Sequence, residues 1–168
     1  EIGDDDLFSV YDYRASSKNK IDDNKGAIED LTKAIEIEPN FAEGYYRRGN
    51  NKFSEGDFEG VIADLNKAIE IEPASANNTY YYYTRGSSKY FTNDFEGAIA
   101  DLKRRNKPQK EDYRYMGYTN YKLQNYKGSI TDLDKAIELG AESSTDYNFR
   151  GASKLKLFDY EGAVSDLN

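Results

Sequence analysis

Apolar residues along the chain recur with the 3.6-residue period of an amphipathic helix. Val61, Leu65, Ala68 and Ile69 fall at i, i+4, i+7 and i+8 and so line one face. Upstream, Tyr45, Gly49 and Phe53 keep the same spacing. Glu55-Gly56-Asp57, between the two segments, supplies a helix breaker followed by an acid suited to a helix N-terminus. The pattern predicts a helical hairpin, and the hairpin repeats. KGAIEDLTKAIEIEP (25–39) returns 34 residues later as EGVIADLNKAIEIEP (59–73), then as EGAIADLKRRNKP (96–108), KGSITDLDKAIELG (127–140) and EGAVSDLN (161–168). Leu31, Leu65, Leu102, Leu133 and Leu167 form one column and Tyr11, Tyr45, Tyr82, Tyr113 and Tyr147 another, both with successive spacings of 34, 37, 31 and 34. Five copies share one register.

Gly49, Gly86, Gly117 and Gly151 sit in the middle of the first helix of their copies, where Gly costs about 1 kcal/mol relative to Ala. Close helix-helix approach would justify that cost, and a small column of Ala27, Val61, Ala98, Ser129 and Ala163 is expected opposite, with Ala15 standing for Gly in the first copy. An aromatic residue, a Gly four positions on, small, Leu and Ala columns in the second helix and a closing Pro together resemble the tetratricopeptide repeat family, from about Phe8 to Asn168. The resemblance implies an all-α, right-handed α-solenoid of antiparallel helix pairs. Its first helices would line a concave groove that binds peptide segments or protein surfaces. Residues 1–168 are read as a single repeat domain, with repeats near 8–41, 42–78, 79–109, 110–143 and 144–168, the last incomplete. Copy two is lengthened around Ala74 to Asn78. Copy three is three residues short and has Arg105 where the others have Ala34, Ala68 and Ala136, so its second helix is expected to be shortened, ending near Pro108, with a local change of curvature after it.

Composition narrows the function. The chain of 168 residues is 38% hydrophobic yet 14% aromatic, with sixteen Tyr, so disorder is not expected. A net charge of −8 repels phosphates and anionic lipid, so nucleic acid is not an expected partner. With no Cys and no His, thiol and imidazole chemistry are absent. No apolar run approaches the ~20 residues of a membrane span, so membrane insertion is not expected. The Ser residues lack a His partner, and Asp4-Asp5-Asp6 and Asp22-Asp23 lack the ligand spacing of a calcium loop. No catalytic residue, metal ligand or cofactor is expected. The start at Glu1 without Met suggests a fragment or a processed form. The stop at Asn168, inside a second helix, suggests either that the native chain continues or that Ala163, Val164 and Leu167 stack end to end on another copy.

Several repeated residues read as packing. Arg14, Arg48, Arg85 and Arg150 form a column facing Asp30, Asp64, Asp101, Asp132 and Asp166, which predicts a fixed pair in every copy except the fourth, where Met116 replaces Arg. The partner site is assigned to the other side of the first helices, where the family geometry puts the concave surface: Tyr13, Tyr46, Arg47, Asn50, Phe53, Tyr83, Tyr90, Phe91, Arg114, Tyr115, Tyr118, Tyr121, Asn148 and Phe149. Aromatic rings with a polar tip, beside cations and amides, suit an extended backbone or a helix of a partner protein. Packing against the next repeat is the alternative for these rings. The carboxylate clamp of some family members needs Lys and Asn on the first helix. Copy one offers Asp12 and Ser16, and copy two has Tyr46 in place of the Lys, so a chaperone tail is disfavoured. The basic run Lys103, Arg104, Arg105, Lys107 and Lys110 is read as a solvated face, with docking of an acidic partner or RNA as lesser readings. Asn77-Asn78-Thr79 matches a glycosylation sequon.

Overall fold

A computed structural model describes residues 3–74, 78–105 and 107–168. Most of the lengthened turn of copy two, and Asn77 of the sequon, lie outside the described residues. Among the described residues there are ten helices: α1 (Asp4–Asn19), α2 (Asn24–Ile37), α3 (Ala42–Glu55), α4 (Phe58–Ile71), α5 (Asn78–Phe91), α6 (Phe95–Leu102), α7 (Lys110–Lys122), α8 (Tyr126–Glu138), α9 (Ser144–Lys156) and α10 (Tyr160–Leu167). Each copy in the sequence supplies one pair. The contacts divide the chain into two compact units, Glu1–Ser88 and Lys89–Asn168, with the division inside α5.

Second helices begin in the same way in every copy. Asp23, Asp57, Asp94, Asn125 and Asp159 cap them by accepting a hydrogen bond from the backbone N–H of Gly26, Gly60, Gly97, Gly128 and Gly162. These glycines are needed for room: a β-carbon on Gly60 would lie 2.1 Å from the Asp57 carboxylate. The chain turns into the cap through a left-handed residue, Asp22, Gly56, Asn93, Gln124 or Phe158.

The Leu column is the core, with Leu31, Leu65, Leu102 and Leu133 fully buried; Leu167 is 51% exposed. At Gly49, Gly117 and Gly151 the nearest side chain is the Leu of this column and not the small residue expected opposite. A β-carbon on Gly117 would stand 2.6 Å from Leu133 Cγ, and one on Gly151 2.9 Å from Leu167 Cγ. The small column serves the contact between copies instead, as where Ser153 Oγ donates to Ser129 Oγ at 2.9 Å. The Tyr column differs from its sequence reading too. Its members are half-buried and lie beneath the Arg column, with Arg14, Arg48, Arg85 and Arg150 at 5.3 to 5.4 Å from the rings of Tyr11, Tyr45, Tyr82 and Tyr147. The fully buried tyrosine is Tyr81.

In copies one, two and five the Arg-Asp pairs form as the columns predict. Arg14 and Arg48 grip Asp30 and Asp64 with two bonds each, at 2.5 to 2.9 Å, and Arg150 grips Asp166 likewise. Lys18, Lys52, Lys89 and Lys154 add a second cation, at 2.9 to 3.0 Å from the same Asp column. The Arg side chain also reaches the preceding copy: Arg48 to Thr32, Arg85 to Asn66 and Arg150 to Asp134. Copy four lacks both cations, having Met116 and Asn120. There the Asn120 amide donates to Asp132 at 2.7 Å. Burial pushes the Asp132 carboxyl above its ordinary range, opposed by Asn120 and by the positive charge of Lys103. Lys103 occupies the column of Thr32, Asn66 and Asp134, so part of the missing charge comes from the preceding copy.

Helix α6 is short, as the lost residues predict, and it stops at Leu102, earlier than Pro108. The basic run that follows is not simply a solvated face. Arg105 is buried, and its Nη1 donates to Oδ2 of the fully buried Asp112 at 2.7 Å. Lys110 Nζ donates to the Gly140 carbonyl at 3.3 Å. Once α6 has ended, an Arg can stand where an Ala packs in the other copies because a buried carboxylate at the start of α7 needs its charge.

Candidate functional site

In the first unit several candidate residues are engaged by other side chains of the unit. The Tyr46 and Tyr81 rings lie 4.9 Å apart, and Phe53 stacks edge-on against Phe58 at 5.4 Å. Arg47 bonds to the Asp12 carboxylate and to Ser16 Oγ, the latter at 2.7 Å. Thus the positions that a carboxylate clamp would use in copy one are the partners of an internal ion pair. Thr84 Oγ1 donates to Asn50 Oδ1 at 3.4 Å. Tyr13 is open, at 73% exposure. Tyr83 is half-buried.

In the second unit the rings form one continuous band. Tyr90 meets Phe91, Tyr115 and Tyr118 at 5.3, 5.9 and 6.3 Å. Phe91 meets Tyr115 at 6.1 Å, and Tyr115 meets Tyr118 at 6.0 Å. Tyr118 then meets Phe149 at 4.6 Å, and Phe149 meets Tyr121 at 5.2 Å. Most contacts are edge-to-face, the arrangement ring quadrupoles favour. The band joins the end of α5 to α7 and α9, so the same rings pack one copy on the next. Tyr118 is only 7% exposed, whereas Phe91 is 44% exposed.

A buried polar network fixes this band from behind. Asp146, fully buried at the third position of α9, accepts from the Ser143 backbone N–H in a capping box. It also accepts from Arg114 Nε at 2.8 Å and from the Tyr118 hydroxyl. Burial first, and then the bond to Asp146, push the Tyr118 hydroxyl well above the usual range. Burial also raises Tyr90 and Tyr115, so all three rings present neutral hydroxyls at physiological pH. Arg114 therefore serves as the counter-ion of Asp146, as Arg105 serves Asp112. Neither Asp was legible as a network centre. The spacings Gln109-x-x-Asp112 and Ser143-x-x-Asp146 signal a capping box, but not the Arg that reaches it from elsewhere in the chain.

One opening interrupts this surface. Tyr121 and Lys122 of α7 and Asn148, Phe149 and Ala152 of α9 line an open, mostly apolar pocket of about 280 Å³. Asn148 and Lys122 are exposed, and neither side chain makes a hydrogen bond or ion pair among the described residues. Ala152 and Lys122 are functional candidates that periodicity alone did not single out.

Comparison with known proteins places the architecture. A profile of the tetratricopeptide repeat matches residues 42–75, the segment that contains α3 and α4. Residues 42–75 are thus a tetratricopeptide repeat. MamA from Desulfovibrio magneticus, residues 41 to the end, superposes with a TM-score of 0.86 at 16% identity, covering 99% of this chain and 93% of that one. A second MamA structure superposes at 0.84 with 21% identity over 95% and 87% of the two chains. YrrB, described as a tetratricopeptide protein with an unusual peptide-binding site, gives 0.78 at 16% identity over 93% and 80%. At these identities the likeness is one of fold: a tetratricopeptide solenoid of antiparallel helix pairs. No curated protein matches the sequence. No described helix is long and apolar enough to cross a membrane.

Proposed function

We propose that the chain is a protein-interaction scaffold that holds a peptide segment or a helix of a partner protein on the aromatic side of its first helices. The observation that carries this reading is the ring band from Tyr90 to Phe149. It leaves Phe91 exposed at one end although Tyr118, in the same band, is enclosed. Rings held by neighbours and by the Asp146 network lose little freedom on binding, so contact area there converts to affinity at low entropic cost. The peptide-binding site ascribed to YrrB, which shares the fold, is consistent with this use.

The test is selection of peptides from a random phage library on the full chain, repeated with a Phe91→Ser/Tyr115→Ser variant whose helicity and melting are checked by circular dichroism. Enriched peptides should lose at least tenfold in affinity for the variant. Enrichment indifferent to the two substitutions would move the binding surface off these helices.

A further inference from the structure

The pocket between α7 and α9 has a counterpart one copy earlier. Its lining residues Tyr121, Lys122, Phe149 and Ala152 occupy the columns that hold Tyr90, Phe91, Tyr115 and Tyr118 in the preceding contact; the offsets are 31 across short copy three and 34 thereafter. In that preceding contact the four positions are four rings, closed on one another at 5.3 to 6.3 Å. In the later contact two rings remain. Ala152 replaces the Tyr118 ring, and Lys122 replaces the Phe91 ring. The volume those rings would fill is the open pocket of about 280 Å³, just below the range of sites that take whole small molecules. The substitutions remove apolar bulk and add one cation at the edge of the space. The same exchange leaves the Asn148 amide, in the column of Arg114, without a partner among the described residues.

We infer that this pocket receives one large apolar or aromatic side chain of a partner peptide bearing a single carboxylate beside it, the side chain standing in for the missing ring and the carboxylate pairing with Lys122. The Asn148 amide, which both donates and accepts, then meets the peptide backbone next to the inserted side chain. A lysine in the last turn of a helix also interacts favourably with the helix dipole, and that alone would explain Lys122. It would not explain the apolar space that opens beside it between Tyr121 and Phe149. The net charge of −8 disfavours further acidic residues beyond the one that Lys122 can pair. This inference rests on the reading that the first-helix side binds peptide, and names what that side recognises at one place.

The experiment uses the full chain, the random phage library and two further variants. Ala152→Tyr installs the residue the protein itself uses one copy earlier and fills the pocket; Lys122→Glu reverses the charge at its edge. Wild type should enrich peptides with a large apolar residue within two positions of one Asp or Glu. Ala152→Tyr should weaken them by about tenfold or more, the worth of burying one such side chain. Lys122→Glu should switch the enriched neighbour from acidic to basic. Peptides that bind wild type, are lost with Phe91→Ser/Tyr115→Ser, and yet show no such pair or ignore both pocket variants would overturn the pocket assignment while leaving the peptide-binding side intact. Peptides that ignore all four substitutions, or no enrichment at all, would overturn both.

Discussion

The residue that turns the chain into each second helix is left-handed in every copy, yet only Gly56 is a glycine; Gln124, with φ of +60°, holds the position in copy four. A side chain in that region costs about 1 to 2 kcal/mol that glycine avoids. Gln124→Gly should therefore raise the unfolding free energy by about 1 kcal/mol, read as a higher urea midpoint at unchanged slope. Charge at single residues has a pH signature. The bond from Arg14 foremost, with Lys18, holds Asp30 below the ordinary carboxylate value against the opposing effect of burial. At Asp166 burial pushes upward but is outweighed by Arg150 and Lys154. Because these folded values are depressed, the unfolded chain binds more protons in acid. The stabilisation is then complete above the ordinary value of 3.8 and is lost as pH falls through the folded values. An Asp30→Asn/Asp166→Asn variant should be less stable at neutral pH and lose less stability on acidification below about pH 4, as followed by urea midpoints across the acid range.

At the scale of helix pairs, equal columns do not mean equal packing. A β-carbon on Gly49 would lie 3.5 Å from Leu65, an ordinary contact, whereas one on Gly117 would press to 2.6 Å from Leu133. Gly49→Ala should stabilise by about 0.5 to 1 kcal/mol through helix propensity, and Gly117→Ala should destabilise by about 1 to 3 kcal/mol through overpacking. Thermal melts of the two variants should move in opposite directions. The repeat register, the helix pairs, the Arg-Asp bonds and the shortened α6 were legible because each is set by residues at a fixed distance along one period. The partner of the glycines and the burial of Arg105 were not, because both depend on the angle at which neighbouring helices meet. Arg105→Ala restores the residue that the other copies carry, yet it should cost about 3 kcal/mol by leaving Asp112 buried without its cation. Stability equal to wild type in urea unfolding would contradict that account.

For the whole chain, the candidate surface was legible as a list of first-helix positions but not as a surface. Periodicity put Arg47 and Arg114 beside the rings, whereas the fold spends one on Asp12 and the other on Asp146. It put Tyr118 in the same class as Phe91, although the first is enclosed and the second open. A period reports which face a residue takes and says nothing of what the neighbouring copy does to it. The central claim is that a partner lies along the aromatic side of the first helices. Its most direct test is photo-crosslinking in a lysate of the source cell, with benzoylphenylalanine placed at Phe91 or Tyr13 in one set of proteins and at the exposed Glu36 or Glu70 of the second helices in another. A protein should be captured from an aromatic position, competed by unlabelled chain and absent from the second-helix positions. Capture from Glu36 or Glu70 alone would contradict the claim.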